Sequence, residues 1–468
     1  MRRILPVCLL CCLQLAAQPY KIPRATELPS DPFYVKASWF IGGAGNWDGL
    51  TVDPVHRWLY IAHGATVQIV DLESGSLSRQ ITGFGNARAI ALDDSDSHAY
   101  ISDAMAKAIR VVDRQYLSIE ATIDIGCSPR SVAFEPRSGL VFAVCGTPYR
   151  MLDQPQANIL KAIVDGKYPF VGKVPIDQVG LSHLVAIDPE RRTVLADMIF
   201  YGDGHEVQPD GFGHLYLSIG ANEYFEVAPS KKLQTPKKSP SGQTTPCSVA
   251  PKSADSAQPR AGSVLVTPAA VIPGYASERI AKLDAGAIAE EARHPAKSSG
   301  TALPGSQDDP LDWLAHHIPD PLGKYLPVDS SCGDPRGLVV DGIHGRLFVA
   351  CGNQKFAVLD AADGTEIASL TTGPGDETLA YDADRQLLFT ANNQSLTVIR
   401  QDANVDSYAV VQNLSIDERA RTVAVDPSTG KIYMVTDLLG VDLSKKGGIG
   451  TLHLESVPGS FHVVVVGH

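Results

Sequence analysis

Apolar residues in this chain fall in short runs, each closed by an acidic, polar or small residue. The pattern predicts strands much more than helices. The stretch Trp47-Asp48-Gly49-Leu50-Thr51-Val52 ends at Asp53-Pro54, and Trp58-Leu59-Tyr60-Ile61-Ala62 follows, closed by His63. An apolar run that stops at an Asp-Pro turn and restarts after Arg57 reads as two strands of a hairpin. The same pattern recurs with an acid at Asp53, Asp93, Glu135, Asp188, Asp341, Asp382 and Asp426. Seven residues beyond each acid stand Tyr60, Tyr100, Phe142, Leu195, Phe348, Phe389 and Tyr433. Ten residues beyond stand His63, Asp103, Cys145, Met198, Cys351, Asn392 and Thr436, where each second strand leaves the core. Strand repeats at a spacing of about 40 residues have the period of β-propeller blades. The predicted fold is therefore all-β, a seven-bladed propeller of four-stranded blades.

Two further stretches complete this architecture. Residues 33–41 form a strand ahead of the first hairpin, and Phe461-His462-Val463-Val464-Val465-Val466 is the last apolar run. An open sheet edge is an aggregation hazard, so the two are expected to pair and close blade seven. The period fails after Met198. Residues 199–331 are read as an insertion in or after blade four, with a Pro/Ser/Lys-rich disordered linker at 230–262 and helical composition at 276–293 and around Asp312-Trp313-Leu314. Leu215 to Ser218 and Tyr224 to Val227 are candidates for the rest of blade four, with Val264 to Val271 as an alternative. Blades one to four then occupy 18–198, and blades five to seven occupy 332–468.

Composition narrows the partners. The 468 residues carry a net charge of −12, which argues against nucleic acid, since such partners select a basic surface. Arg2-Arg3, the apolar stretch Ile4 to Leu15 and Ala16-Ala17 read as a cleaved export signal over residues 1–17, leaving no membrane span in the mature chain and a periplasmic or secreted protein. Five cysteines remain after it. Cys127 and Cys145 occupy the same two places in blade three as Cys332 and Cys351 in blade five, where neighbouring strand ends meet on one face of the disc. Two disulfides are expected in an oxidising compartment, with four buried thiols as the alternative. Cys247 is left over in the linker, either free or intermolecular.

The second strands read Tyr60-Ile61-Ala62-His63, Phe348-Val349-Ala350-Cys351 and Phe389-Thr390-Ala391-Asn392. They resemble the YVTN-type repeat, and Trp47-Asp48-Gly49 to His63-Gly64 resembles the first blade of bacterial YncE-like propellers. That resemblance implies an exported seven-bladed propeller that binds a ligand or partner.

Candidate chemistry lies five residues before each acid: Asp48, Arg88, Arg130, His183, Arg336, Glu377 and Arg421. These positions are expected at the channel mouth, where guanidinium forks suit a carboxylate or phosphate. The alternative is that the arginines pair with Asp103, Asp48 and Glu377 and seal the tunnel. A second candidate is the loop holding Asp203, His205, Glu206, Asp210 and His214. Its mixed ligand types suit a first-row metal, against a plain solvated loop, and His316-His317 is set aside because adjacent helical residues diverge. No haem, P-loop, GxSxG or HExxH motif occurs, and no cofactor is expected. The leading reading is a non-enzymatic binding protein for an unknown protein or small anionic ligand. The alternative is a propeller-type hydrolase or lactonase using Glu377, Asp48 and His183.

Overall fold

A computed structural model describes residues 31–43, 45–145, 181–201, 203–220, 279–293, 324–328, 332–373, 378–402, 404, 406–416, 419–441 and 454–468. The expected export signal, the 230–262 linker with Cys247, Glu377, Val264 to Val271, Tyr224 to Val227, Asp312 to Leu314 and His316-His317 lie outside these residues.

The strands assemble into antiparallel sheets arranged as a propeller. The first sheet has six strands: β2 (Trp47–Asp53), β3 (Trp58–Asp71), β4 (Leu77–Leu92), β5 (His98–Asp103), β6 (Ala108–Asp113) and β7 (Ser118–Asp124). Next come β8 (Ser131–Glu135), β9 (Leu140–Cys145), β10 (Leu181–Asp188) and β11 (Thr193–Tyr201). The third sheet is β12 (Asp203–Pro209), β13 (His214–Gly220), β14 (Arg279–Asp284) and β15 (Lys324–Pro327), with helix α1 (Ala285–Arg293) following β14. The fourth holds β16 (Pro335–Asp341), β17 (Arg346–Cys351), β18 (Lys355–Asp360) and β19 (Glu366–Thr371). The fifth holds β20 (Thr378–Asp382), β21 (Leu387–Ala391), β22 (Ser395–Asp402) and β23 (Ser407–Ser415). The sixth is built from both ends of the chain: β24 (Val423–Val425), β25 (Ile432–Thr436), β28 (His462–Gly467) and β1 (Tyr34–Phe40). A small pair, β26 (Leu439–Val441) and β27 (Leu454–Ser456), stands between β25 and β28.

Six blade sheets are thus present among the described residues, which corrects the expectation of seven. The fusion of two repeats accounts for the count, and a second change moves a blade without altering the number. First, β3 and β4 run on without a break, and Gly64 pairs with Ala87, so the first two repeats share one hydrogen-bonded sheet. Second, the hairpin at Asp188 does not open a blade. It joins β10 to β11, the two outer strands of the β8–β11 sheet. The innermost hairpin of the next sheet lies further along, at β12 and β13, and turns at Asp210. The stretch with helical composition at 276–293 also divides: 279–284 is strand β14, and only 285–293 is helical.

The repeat landmarks explain the core. Tyr60, Phe142, Phe348, Phe389 and Tyr433 are wholly buried, and Tyr100 nearly so. Each of these packs between neighbouring repeats, where a fully buried side chain of this size contributes roughly 1.5–3 kcal/mol. The acids other than Asp188 are buried as well but are not left unpaired. Asp53 Oδ1 accepts the Val55 and His56 backbone N–H groups at 3.1 and 3.0 Å, which caps the turn. A neighbouring repeat then completes the carboxylate: Arg114 Nη2 donates to Asp53 at 2.8 Å, Gln401 Nε2 to Asp341 at 3.1 Å, and Arg57 Nη1 to Asp426 at 2.8 Å. At Asp53, Asp341 and Asp426 the acid therefore sets its own turn and fastens one repeat to the next. Closure follows the same logic. β1 pairs with β28 from Tyr34–Gly467 to Phe40–His462, and Phe33 exchanges two backbone hydrogen bonds with the Gln412 amide of the adjacent sheet at 2.9 and 2.7 Å.

Candidate functional site

Innermost strands alternate in direction with their partners, so the start of each innermost strand and the end of the next strand meet on one face. Trp47 lies opposite His63, and Pro335 opposite Cys351. The innermost segments β2, the later part of β4, β8, β12, β16, β20 and β24 touch in succession, and β24 returns to β2. Residues at their starts surround one mouth. Both expected disulfides form on this face, Cys127–Cys145 and Cys332–Cys351, with Cα separations of 6.0 and 5.3 Å.

Five of the seven residues expected at the mouth are described at innermost-strand starts: Asp48, Arg88, Arg130, Arg336 and Arg421. His183 is not among them. It sits on β10, an outer strand of its sheet, with Nδ1 2.8 Å from Asp197 Oδ1. Its place is taken by His205, five residues before Asp210, because the β12 hairpin rather than the Asp188 hairpin is the inner one. Glu377 lies outside the described residues.

The loop considered for metal binding is split by the same geometry. Asp203 and His205 open β12 at the mouth, whereas Asp210 and His214 form the turn at its far end, about 20 Å away along an extended strand. Asp210 accepts from the Phe212 and His214 N–H groups at 2.7 and 3.0 Å and meets His214 Nδ1 at 2.8 Å, the arrangement of a repeat acid. The four residues cannot share one ion. Asp53, His56 and Asp96 do lie close enough to share one. That space is taken by the buried Arg114 guanidinium, whose Nη2 is 2.8 Å from Asp53 and 2.6 Å from Asp96. Burial pushes the Asp53 carboxyl up, but His56 backbone donation and Arg114 hold it below the usual carboxylate range.

At the mouth opposite charges pair. Arg88 Nε donates to Asp48 at 2.6 Å, and the two side chains keep 32% and 41% of their surface exposed. Arg130 Nη1 reaches across to the β12 strand, with Asp203 Oδ1 at 3.1 Å, the Gly204 carbonyl at 3.3 Å and His205 Nδ1 at 3.0 Å. A guanidinium can only donate, so Nδ1 is the acceptor and Nε2 carries the imidazole proton. Nε2 donates to Asp334 Oδ1 at 3.1 Å, and Arg336 Nε donates to Asp334 Oδ2 at 2.8 Å. The result is a continuous arc from Arg130 through His205 and Asp334 to Arg336. Burial alone would raise the Asp334 carboxyl, but hydrogen bonds from His205 and Arg336 more than offset it and hold it far below its ordinary value. Arg421 is partly exposed at the start of the closing sheet's inner strand, where its carbonyl accepts from Thr378 Oγ1 at 2.9 Å.

Sequence reasoning missed Asp334 and the role of Glu206. Asp334 is one residue before Pro335-Arg336, in the setting Cys332-Gly333-Asp334-Pro335-Arg336, and Cys127-Ser128-Pro129-Arg130 is its counterpart. A Pro-Arg pair shortly after a cysteine was the available signal. Glu206 reaches toward the next sheet: Oε2 accepts Leu338 N–H and Oε1 accepts Gln208 Nε2, each at 2.9 Å. Ser131 and Thr378 do the equivalent for Val207 and Val423 N–H at 3.3 and 3.1 Å. Glu206 performs that hydroxyl's task with a carboxyl group. Burial pushes it up to about 7, only partly countered by the Leu338 and Gln208 donors.

No family model matches the chain, and no curated protein matches it as a relative. Among solved structures it is similar to the RRP9 WD40 repeats, at 8% identity and TM-score 0.52, covering 95% of this chain and 100% of that one. The structure of U3-55K is similar to the same degree, at 8% identity and TM-score 0.52, covering 93% and 99%. At this identity the likeness establishes the β-propeller fold with WD40-type neighbours.

Proposed function

We propose that this chain is an exported, YVTN-type β-propeller that works by binding, taking an anionic group or an acidic partner at the mouth ringed by Asp48, Arg88, Arg130, His205, Asp334, Arg336 and Arg421. The observation that carries this reading is the disposition of Arg88. It uses one edge of its fork on Asp48 while about a third of the side chain stays exposed, which leaves an acceptor-seeking face at the opening. Two disulfides on the same face suit an oxidising compartment, and among the described residues no helix is long and apolar enough to cross a membrane. The propeller likeness adds support, since such discs commonly use one face for recognition.

The hydrolase alternative has little to build on. Asp48 is engaged by Arg88, and His183 is paired with Asp197 on an outer strand, so these two of the three groups it required do not come together. Calorimetric titration with inorganic phosphate, succinate and citrate tests the binding reading. Arg88→Ala is expected to weaken the tightest of these at least tenfold with an unchanged melting temperature. Equal affinity in wild type and variant would refute the assignment of the mouth.

A further inference from the structure

The two disulfides are not spread evenly round the ring. They stand on either side of the β12–β15 sheet, one in each neighbouring sheet. Cys145 ends β9 directly after Val144, whose carbonyl accepts Arg130 N–H at 2.8 Å. The Cys127–Cys145 bond therefore braces the segment from which Arg130 reaches His205. On the other side, Cys332 is two residues before Asp334 and is bonded to Cys351, and Gly352 N–H donates to the Asp334 carbonyl at 3.0 Å. Asp334 has φ 58°, a left-handed conformation that aspartate enters more readily than most residues but that its Cβ still disfavours. Its carboxylate is the joint between His205 and Arg336. Each end of the arc is thus tied to a disulfide.

From this placement we infer that the mouth at the β12–β15 sheet becomes competent to bind only after both disulfides have formed, and that Asp334 is the positioning residue through which Cys332–Cys351 acts. The inference rests on the binding reading above and adds its regulation. The chemistry needs a disulfide oxidant, for example glutathione disulfide. A cysteine thiolate attacks one sulfur of the oxidant and releases one glutathione thiolate. The second cysteine then attacks the mixed disulfide and releases the other. Two electrons pass to the oxidant, and the two cysteine protons end on the two glutathione thiols. All four cysteines are almost fully buried once joined, at 4% exposure or less. A thiol reductant reaches them only after local opening, so the step is a maturation and not a rapidly reversible switch.

The test uses the full chain, oxidised in a glutathione buffer, beside Cys332→Ser/Cys351→Ser and Cys127→Ser/Cys145→Ser. Amide hydrogen exchange is followed in peptides spanning 203–208 and 332–338, with 387–400 as an internal reference, and inorganic phosphate is titrated in parallel. Loss of Cys332–Cys351 is expected to speed exchange in the first two peptides at least tenfold, leave the reference unchanged and weaken phosphate at least tenfold. Unchanged exchange, or unchanged phosphate affinity in the variant, overturns the inference even where the oxidised protein binds phosphate well. Faster exchange in a protein whose oxidised form binds none of the anions supports the disulfide coupling and removes the anion reading instead. Asp334→Gly guards against misfolding of the cysteine variants, because glycine keeps the left-handed backbone and both disulfides while deleting the carboxylate. It is expected to lose phosphate affinity to the same extent. Asp334→Asn, which retains one acceptor, is expected to restore at least half of that loss on a free-energy scale at an equal melting temperature. Failure of Asp334→Gly to weaken phosphate overturns the positioning role.

Discussion

Glu206→Gln offers the sharpest test of how the sheets are joined. The carboxyl sits at about 7 instead of 4.5, raised by burial between β12 and β16. A carboxyl raised on folding binds its proton more tightly in the native state, so native stability declines as pH climbs through the interval between the unfolded and folded values. For a single site with those two values, the change between pH 5 and pH 8 amounts to about 2.5 kcal/mol. The side chain is partly exposed, so water screens some of the effect, and we expect about half of that swing. The glutamine side chain of the variant cannot ionise and retains one acceptor for Leu338 N–H, so the swing should vanish. Urea unfolding of both proteins at pH 5, 6, 7 and 8 measures it: wild type should lose ground to Glu206→Gln steadily with pH and level off near pH 8. Parallel curves, or a wild type that gains on the variant as pH rises, would refute the reasoning.

Other perturbations follow from the same contacts. Arg114→Met leaves the wholly buried Asp53 without its cation and should cost about 3–5 kcal/mol by denaturant unfolding, whereas a neutral effect would mean the pair is dispensable. Removing Cys127–Cys145 by double serine substitution frees a loop of separation 18 and should cost about 3 kcal/mol on the chain-entropy account, read as a lower unfolding midpoint. Asp53, Asp103, Asp341 and Asp426 are all held below their ordinary values, each by donors that outweigh burial. Their stabilisation is fully present above about pH 4 and is lost as pH falls through the lower folded values, so the melting temperature should drop steeply between about pH 4 and 2.

Much of this architecture was legible in the chain because each landmark does a local job. Tyr60, Phe142 and Phe389 announce the buried second strand, and the cysteine pairs sit at strand ends whose adjacency follows from antiparallel pairing. The register was lost at one place for a physical reason. An aspartate that opens a turn caps backbone N–H groups whether the hairpin is inner or outer: Asp71 and Asp360 do this between outer strands just as Asp53 does between inner ones. Asp188 belongs to the outer kind, accepting Arg191 N–H at 2.9 Å, and neither it nor Asp210 has an aromatic residue seven positions on. With residues 221–278 separating β13 from β14, spacing could not choose between the two acids. His183 entered the candidate mouth for that reason, and His205, already noticed in a different role, was the residue that belonged there. The fusion of the first two repeats into one sheet left no trace in periodicity, because the landmark spacing from Asp53 to Asp93 is the same whether or not Gly64 and Ala87 pair across the join.

The pairing of β1 with β28 has a consequence for biosynthesis. The strand Tyr34–Phe40 leaves the ribosome more than 400 residues ahead of its permanent partner, His462–Gly467. No fragment lacking β28 can complete the disc, and a nascent chain stalled before Val463 would leave the strand holding Trp39 and Phe40 without its partner. Quality control acting on such a strand would distinguish finished molecules from truncated ones by a single missing ribbon.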